Sequence, residues 1–124
     1  MILDSNILIY FANPGFDTLR AYLKERQNTS YVSLISTLEV LGYHRLKPTD
    51  KIELERLLDA ASILPITDAI ITEAIRLRQQ RKRSLADSII AATALLYDLP
   101  VLTNNTADFE DISDLQVISL QSIT

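Results

Sequence analysis

The sequence contains no cysteine and no tryptophan, and it has only two glycines, four prolines and one histidine. Without cysteine there can be no disulfide, thiolate zinc site or cysteine nucleophile, and this composition is typical of the reducing cytoplasm. The single histidine, His44, provides no histidine pair for general acid–base catalysis. The scarcity of glycine and proline leaves little room for long loops.

Long apolar runs are also missing, since none approaches the roughly 20 residues that span a bilayer. The first residues, Met1-Ile2-Leu3-Asp4, lack the basic segment of a secretion signal. We therefore predict a cytoplasmic protein without a membrane segment. The net charge of −4 argues against a module that binds nucleic acid only by neutralising phosphates. It still allows a nuclease, because cations bound among clustered acids reverse the local field.

With 124 residues, 48% of them hydrophobic, the chain is predicted to form one domain, residues 1–124. Short Val-, Ile- and Leu-rich runs alternate with longer amphipathic stretches, a pattern typical of buried parallel strands joined by helices. The predicted strands are 2–3, 31–34, 63–66, 101–103 and 116–119. The predicted helices are 6–11, 17–27, 36–46, 49–61, 67–80 and 85–98. This order predicts an α/β fold, a three-layer α/β/α sandwich with a parallel sheet.

Four acids lie where predicted strands end or helices begin. Taken singly, each has a structural explanation. Asp4 follows the first strand and suits a helix N-cap. Glu39 and Asp87 each stand three residues after a serine, Ser36 and Ser84 respectively, as in a capping box. Asp108 lies in a polar loop after the fourth strand, where acidic and amide side chains are common.

Their joint placement is less easily explained by capping. Asp4 and Asp108 follow the carboxyl ends of strands, and Glu39 is expected in the first turn of a helix that leaves a strand end. Asp87 opens a helix that reaches the next strand through two residues, so its first turn returns to the same edge. Ligands of open α/β sheets bind at this edge. Carboxylates gathered there would favour a hard cation such as Mg²⁺ or Mn²⁺ over zinc.

These residues, in this order, resemble the PIN-domain family and, within it, the VapC-type toxins of bacterial toxin–antitoxin pairs. The matching segments are residues 2–10, 35–40, 85–94 and 102–109. Ser5 stands where the family more often has threonine, which keeps the hydroxyl.

The resemblance implies a five-stranded parallel sheet and a Mg²⁺- or Mn²⁺-dependent endoribonuclease whose RNA substrate could be tRNA. It assigns metal binding and catalysis to four carboxylates and supporting polar roles to three side chains. The acids are Asp4, Glu39, Asp87 and Asp108, with Asp111 as a competitor for the fourth role. The supporting residues are Asn6, Thr103 and Asn105. The resemblance also implies a homodimer and a cognate antitoxin whose tail enters the acidic groove.

Two alternatives belong to other classes. A receiver-type signalling domain shares the sheet type and acidic pocket, but it needs a phospho-accepting aspartate at the end of strand three. Here Asp68 is better explained as helix first-turn chemistry, and no lysine follows the last strand. A catalytically idle PIN-like module would bind RNA without cutting it.

The densest basic stretch has two interpretations. It comprises Arg76, Arg78, Arg81, Lys82 and Arg83. These cations could stabilise a helix C-terminus on a solvated face, or they could position phosphates next to Asp87. His44 is predicted to be a structural or surface residue.

Overall fold

The computed structural model describes residues 1–123, in which strands and helices alternate along the chain. The strands are β1 Ile2–Leu3, β2 Tyr31–Ser33, β3 Ser62–Leu64, β4 Val101–Thr103 and β5 Val117–Ser119. The α-helices are α1 Ser5–Ala12, α2 Asp17–Glu25, α3 Leu34–Leu41, α4 Pro48–Ala60, α5 Asp68–Gln80 and α6 Leu85–Tyr97. Short 3-10 helices cover Gln27–Thr29, Thr106–Asp108 and Leu120–Ser122.

The strands form one parallel sheet in the order β3-β2-β1-β4-β5. The predicted five-stranded parallel sheet is thereby confirmed. The order differs from the 2-1-3-4-5 order of receiver-type domains. It places β1 at the centre, with Ile2 beside both Tyr31 and Val101. The carboxyl ends of β1 and β4 are therefore neighbours.

Both faces of the sheet are covered, because consecutive strand residues point to opposite sides. Leu3 and Leu102 pack into a core with α1, α2 and α4, while Ile2 and Val101 pack into another with α5 and α6. This explains why the central strands are apolar at consecutive positions. Among residues 1–123, no helix is long and apolar enough to cross a membrane.

The element bounds differ from prediction mainly at β3 and α3. The predicted strand 63–66 begins at Ser62 and ends at Leu64, because Pro65 has no N–H to continue the ladder. The predicted helix 36–46 instead spans Leu34–Leu41. Ser33 is its N-cap and accepts a 3.3 Å hydrogen bond from the backbone N–H of Ile35.

The capping box predicted for Ser36 and Glu39 was therefore wrong. Two serines, Ser33 and Ser36, precede Glu39, and the earlier one caps the helix. Ser36 lies inside α3 and is fully buried, and Glu39 is in the second turn of the helix. The position of Glu39 next to the sheet edge consequently has no explanation in capping.

Candidate active site

Asp4 lies at the carboxyl end of β1 and is only 5% exposed. One carboxylate oxygen accepts a 2.8 Å hydrogen bond from the backbone N–H of Ser5, which makes Asp4 the N-cap of α1. The other accepts a 2.7 Å hydrogen bond from the Thr103 hydroxyl at the end of β4. That hydroxyl in turn accepts from the backbone N–H of Asn105 at 2.9 Å. The Asp4 carboxylate is thus oriented by the first residue of α1 and by the last residue of the neighbouring strand β4.

Glu39 joins the site through a short chain of hydroxyl groups. Oγ of Ser5 lies 2.6 Å from Oε1 of Glu39 and 2.9 Å from Oγ of Ser36. A serine hydroxyl has one proton, so if Ser5 donates to the carboxylate it must accept from Ser36. The chain therefore runs from Ser36 through Ser5 to Glu39, and it connects α3 to the start of α1.

Asp87 lies in the first turn of α6, where Ser84 is the N-cap. The Ser84 hydroxyl oxygen accepts a 3.0 Å hydrogen bond from the backbone N–H of Asp87, as the capping prediction requires. Partial burial and the negative charge of Asp4 raise the pKa of the Asp87 carboxyl to about 6, against an opposing hydrogen bond from Ser84. Asp108 and Glu39 raise it further.

The same electrostatic coupling acts on Asp4. Burial is the main reason that the pKa of Asp4 is raised, and the charges of Glu39 and Asp108 add to the effect. The hydrogen bonds from Thr103 and Ser5 oppose it. The four predicted acids are therefore close enough for their charges to interact, although they come from four separate segments of the chain.

Asp108 and Asp111, the two candidates for the fourth acid, have different surroundings. Asp108 ends the 3-10 helix Thr106–Asp108, and its charge raises the pKa of both Asp4 and Asp87. Asp111 is bound to Arg83, which lies 2.8 Å from Oδ2, and hydrogen bonds from Arg83 hold the pKa of Asp111 below its ordinary value. These surroundings favour Asp108 as the fourth member of the cluster.

Within residues 1–123, no ion pair involves any of the four clustered acids. Their donor atoms are all carboxylate oxygens, and each oxygen of Asp4 keeps a lone pair after its hydrogen bond. This donor set suits a hard divalent cation. In the described part of the chain, no three acidic or histidine side chains already lie at metal-binding distance.

The remaining predicted site residues are less closely involved. Asn105 contributes backbone groups, donating to Thr103 and accepting from the N–H of Asp108 at 3.1 Å. Asn6 lies in the first turn of α1 and is half-buried. His44 is exposed beyond the end of α3 and packs edge-on against Tyr43. The predicted helix 36–46 placed His44 on the same helix as Glu39, but α3 ends at Leu41, before His44.

The basic stretch divides into paired and free cations. Arg76 pairs with Glu73 on the same helix, and Arg81 lies 3.6 Å from Asp111. Arg83 is buried and binds both Asp111 and the backbone oxygen of Leu77. Only the exposed Arg78 and Lys82 have no ion-pair partner among residues 1–123.

Sequence reasoning overlooked the roles of Ser36 and Arg83. Ser36 was interpreted as a cap, although its spacing of three from Glu39 also places both on one side of a helix. Arg83 was grouped with surface cations, and its partner Asp111 lies 28 residues away. No local sequence pattern predicts an ion pair between residues so far apart.

This chain is similar to several known proteins over nearly its whole length. The family model described as the PIN domain matches residues 1–115. A ribonuclease VapC from Rickettsia bellii is 30% identical over 97% of this chain and 96% of its own length. A toxin–antitoxin complex from Klebsiella pneumoniae contains a chain that is 31% identical, with a TM-score of 0.77 and 95% of each chain covered. VapBC2 from Rickettsia felis, solved bound to a promoter DNA fragment, shares the fold at 20% identity, with a TM-score of 0.82 over 95% of this chain and 96% of that one.

Proposed function

Because this chain belongs to the PIN-domain family, we propose that it is a divalent-metal-dependent endoribonuclease that hydrolyses RNA phosphodiester bonds. The observation that carries the proposal is the electrostatic coupling of Asp4 and Asp87 with Glu39 and Asp108 at the carboxyl edge of the sheet. Like charges kept together cost stability unless a cation binds among them. Titratable groups with strongly perturbed pKa values are concentrated at functional sites of proteins.

The four carboxylates would hold Mg²⁺ or Mn²⁺, the ions that all-oxygen sites prefer. A bound divalent ion supplies positive charge opposite the scissile phosphate and lowers the pKa of bound water. The protein's own contribution is orientation. Thr103 and the N–H of Ser5 hold both oxygens of Asp4, and Ser5 holds Glu39.

Substrate positioning is proposed for the two unpaired cations of the basic stretch. Arg78 lies in the last turn of α5, and Lys82 follows in the turn that leads to α6, whose first turn carries Asp87. Exposed arginine and lysine side chains bind phosphates without reading sequence. The RNA backbone would therefore reach the acids from this side, which reconciles an acidic protein with a polyanionic substrate.

We also propose that the protein is the toxin of a toxin–antitoxin pair, that it acts in the cytoplasm and that an antitoxin protein binds it. The 31% identical chain from Klebsiella pneumoniae belongs to a toxin–antitoxin complex. A homodimer is proposed because large apolar side chains remain exposed, including Leu38 at 68% and Ile75 at 53%. Sedimentation of the purified protein tests the dimer, and co-purification with the product of an adjacent small gene tests the antitoxin.

The deciding experiment compares RNA cleavage by wild type, Asp87→Asn and Asp68→Asn. Each protein is incubated with tRNA and structured RNA in Mg²⁺ or Mn²⁺, and again with a chelator. Asp68 is a matched control, because it also occupies the first turn of a helix that leaves the sheet edge but does not perturb Asp4 or Asp87.

We expect discrete cuts from wild type and Asp68→Asn, and about a hundredfold slower cutting by Asp87→Asn or in chelator. RNA binding that survives all changes without any strand cleavage would support the idle RNA-binding module instead. Cutting that survives both the chelator and Asp87→Asn would refute this site as the catalytic centre.

A further inference from the structure

Arg83 connects its own turn to two other segments of the chain. It lies in the turn between α5 and α6, and its Nε donates a 3.0 Å hydrogen bond to the backbone oxygen of Leu77 near the end of α5. Its two terminal nitrogens donate to the two carboxylate oxygens of Asp111, at 3.2 and 2.8 Å. The guanidinium side chain is only 2% exposed.

The segments joined in this way carry two of the clustered acids. Arg83 stands four residues before Asp87 and next to Ser84, the N-cap of α6. Asp111 stands three residues after Asp108, in the loop between β4 and β5. A fixed distance between Arg83 and Asp111 therefore restricts the separation of the Asp87 and Asp108 backbones.

The apolar anchors of the loop do not replace this link. Phe109 is fully buried and Ile112 is 4% exposed, so these two side chains hold the loop against the core. Arg83 instead connects the loop to the start of α6, through hydrogen bonds with defined directions. A planar guanidinium can donate two parallel hydrogen bonds to one carboxylate and a third to another acceptor, whereas a lysine ammonium acts as a point charge.

We propose that the clamp of Arg83, Asp111 and Leu77 is a positioning device that sets Asp108 against Asp87 for cation binding. Arg83 is then a positioning residue: its buried guanidinium is occupied by the protein and is not available to the RNA backbone. The inference rests on the proposed function, because it concerns the metal-binding geometry of the same site. It also assigns a role to a cation that the sequence had grouped with the exposed ones.

Four variants test the clamp. Arg83→Lys keeps the charge but loses the two parallel hydrogen bonds to Asp111. Asp111→Asn weakens the same interaction from the carboxylate side, and the double variant combines the two changes. Arg56→Lys is the matched control, because it alters an exposed ion pair with Glu53 on α4. Each protein is measured well below its unfolding temperature by Mn²⁺ calorimetry, by amide hydrogen exchange and by steady-state RNA cleavage.

Arg83→Lys and Asp111→Asn should each bind Mn²⁺ about tenfold more weakly and lose kcat with an unchanged KM for RNA. The amides of Asp108 and Ile112, which bond to Asn105 and Phe109 within the loop, should exchange faster. The losses in the double variant should fall well short of the sum of the two single losses, because both changes break the same Arg83–Asp111 interaction. Arg56→Lys should match wild type in every measurement.

The inference would be overturned if both single variants fold and keep the Mn²⁺ affinity and the amide hydrogen exchange of the β4–β5 loop that wild type shows. It would also be overturned by losses in the double variant that equal the sum of the two single losses. A lower unfolding temperature with unchanged Mn²⁺ affinity would mean a merely structural ion pair and would also overturn it. A wild-type protein that binds no Mn²⁺ and cuts no RNA would refute the proposed function and the role of the clamp with it. Unchanged variants of a protein that does bind Mn²⁺ would refute the clamp alone.

Discussion

The Thr103 hydroxyl donates a 2.7 Å hydrogen bond to Asp4, 99 residues away in the sequence. Both groups are buried, and they meet because Leu3 of β1 pairs with Leu102 of the parallel strand β4, so that Asp4 and Thr103 follow side by side. Because an ionised carboxylate can only accept, the Thr103 proton is directed at Asp4, while the hydroxyl oxygen accepts from the N–H of Asn105. One side chain thus fixes the orientation of a central acid and supports the loop that leads to Asp108.

Thr103→Val should lower the free energy of unfolding by about 2 kcal/mol at pH 7, because it removes a hydrogen bond to a buried charged group without changing the side-chain shape. Urea denaturation measures the loss. Thr103→Ser keeps the hydroxyl and should retain most of that stability. A Thr103→Val variant as stable as wild type would mean that the hydrogen bond to Asp4 contributes nothing to the free energy of unfolding.

Asp87→Asn should stabilise the metal-free protein at neutral pH. The folded-state pKa of about 6 lies above the ordinary aspartate value of 3.8, so the folded state binds more protons than the unfolded chain between these values. The destabilisation from Asp87 is therefore absent below about pH 3.8, grows as the pH rises and is complete above about pH 6. A shift of this size corresponds to about 3 kcal/mol, which solvent screening of the partly exposed group reduces to about 1 kcal/mol.

Thermal or urea unfolding at pH 7 and pH 4 in the presence of a chelator checks this pH dependence. The variant should exceed wild type in stability at pH 7 and approach it at pH 4. A stability gain that is the same at both pH values would show that the substitution acts by something other than charge. A loss at pH 7 would show that the carboxylate is net favourable in the fold.

Ser36→Ala should lower the free energy of unfolding by about 1 kcal/mol, the usual net contribution of one buried hydrogen bond. The Ser36 hydroxyl is fully buried and forms a hydrogen bond with Ser5. Ser5 donates its own proton to Glu39, so Ser36 is the donor in this bond. Urea denaturation of both proteins gives the difference. An unchanged free energy of unfolding would contradict the proposed direction of the hydroxyl chain.

The neighbouring residue provides the opposite expectation. Oγ1 of Thr37 is buried and, within residues 1–123, has no hydrogen-bond partner. Thr37→Val replaces this hydroxyl by a methyl group of similar shape, so it removes an unsatisfied polar group and should raise the free energy of unfolding by about 1 kcal/mol. The same denaturation experiment measures it, and destabilisation by Thr37→Val would indicate that the hydroxyl is satisfied in solution.

The sequence predicted the sheet and the general position of Asp4 and Asp87, because both depend on local rules. Asp4 caps the helix that follows a buried strand, and Ser84 caps the helix that presents Asp87. Local signals failed for Glu39, since Ser33 and Ser36 are both plausible caps and packing against Ser5 decides between them.

The pairing of individual side chains from distant segments could not be predicted. The pairing of Arg83 with Asp111 depends on how the α5–α6 turn meets the loop after β4. The preference for Asp108 over Asp111 as the fourth acid depends on the same contact, because Arg83 binds one of two nearby aspartates. Composition and spacing describe the candidates, whereas only the tertiary arrangement distinguishes them.

Mg²⁺ should stabilise the folded protein, because a ligand that binds only the native state adds free energy of unfolding that grows with its concentration. At 100 times the dissociation constant the gain is about 2.7 kcal/mol. It should be much smaller for Asp87→Asn, which removes one carboxylate of the cluster, and should shrink below pH 6 as Asp87 takes up a proton. Thermal unfolding in MgCl₂ and in KCl of equal ionic strength separates binding from screening. If KCl stabilises wild type as much as MgCl₂ does, the acids merely repel one another and no specific ion site exists; a gain confined to MgCl₂ and lost in Asp87→Asn locates the ion among these carboxylates.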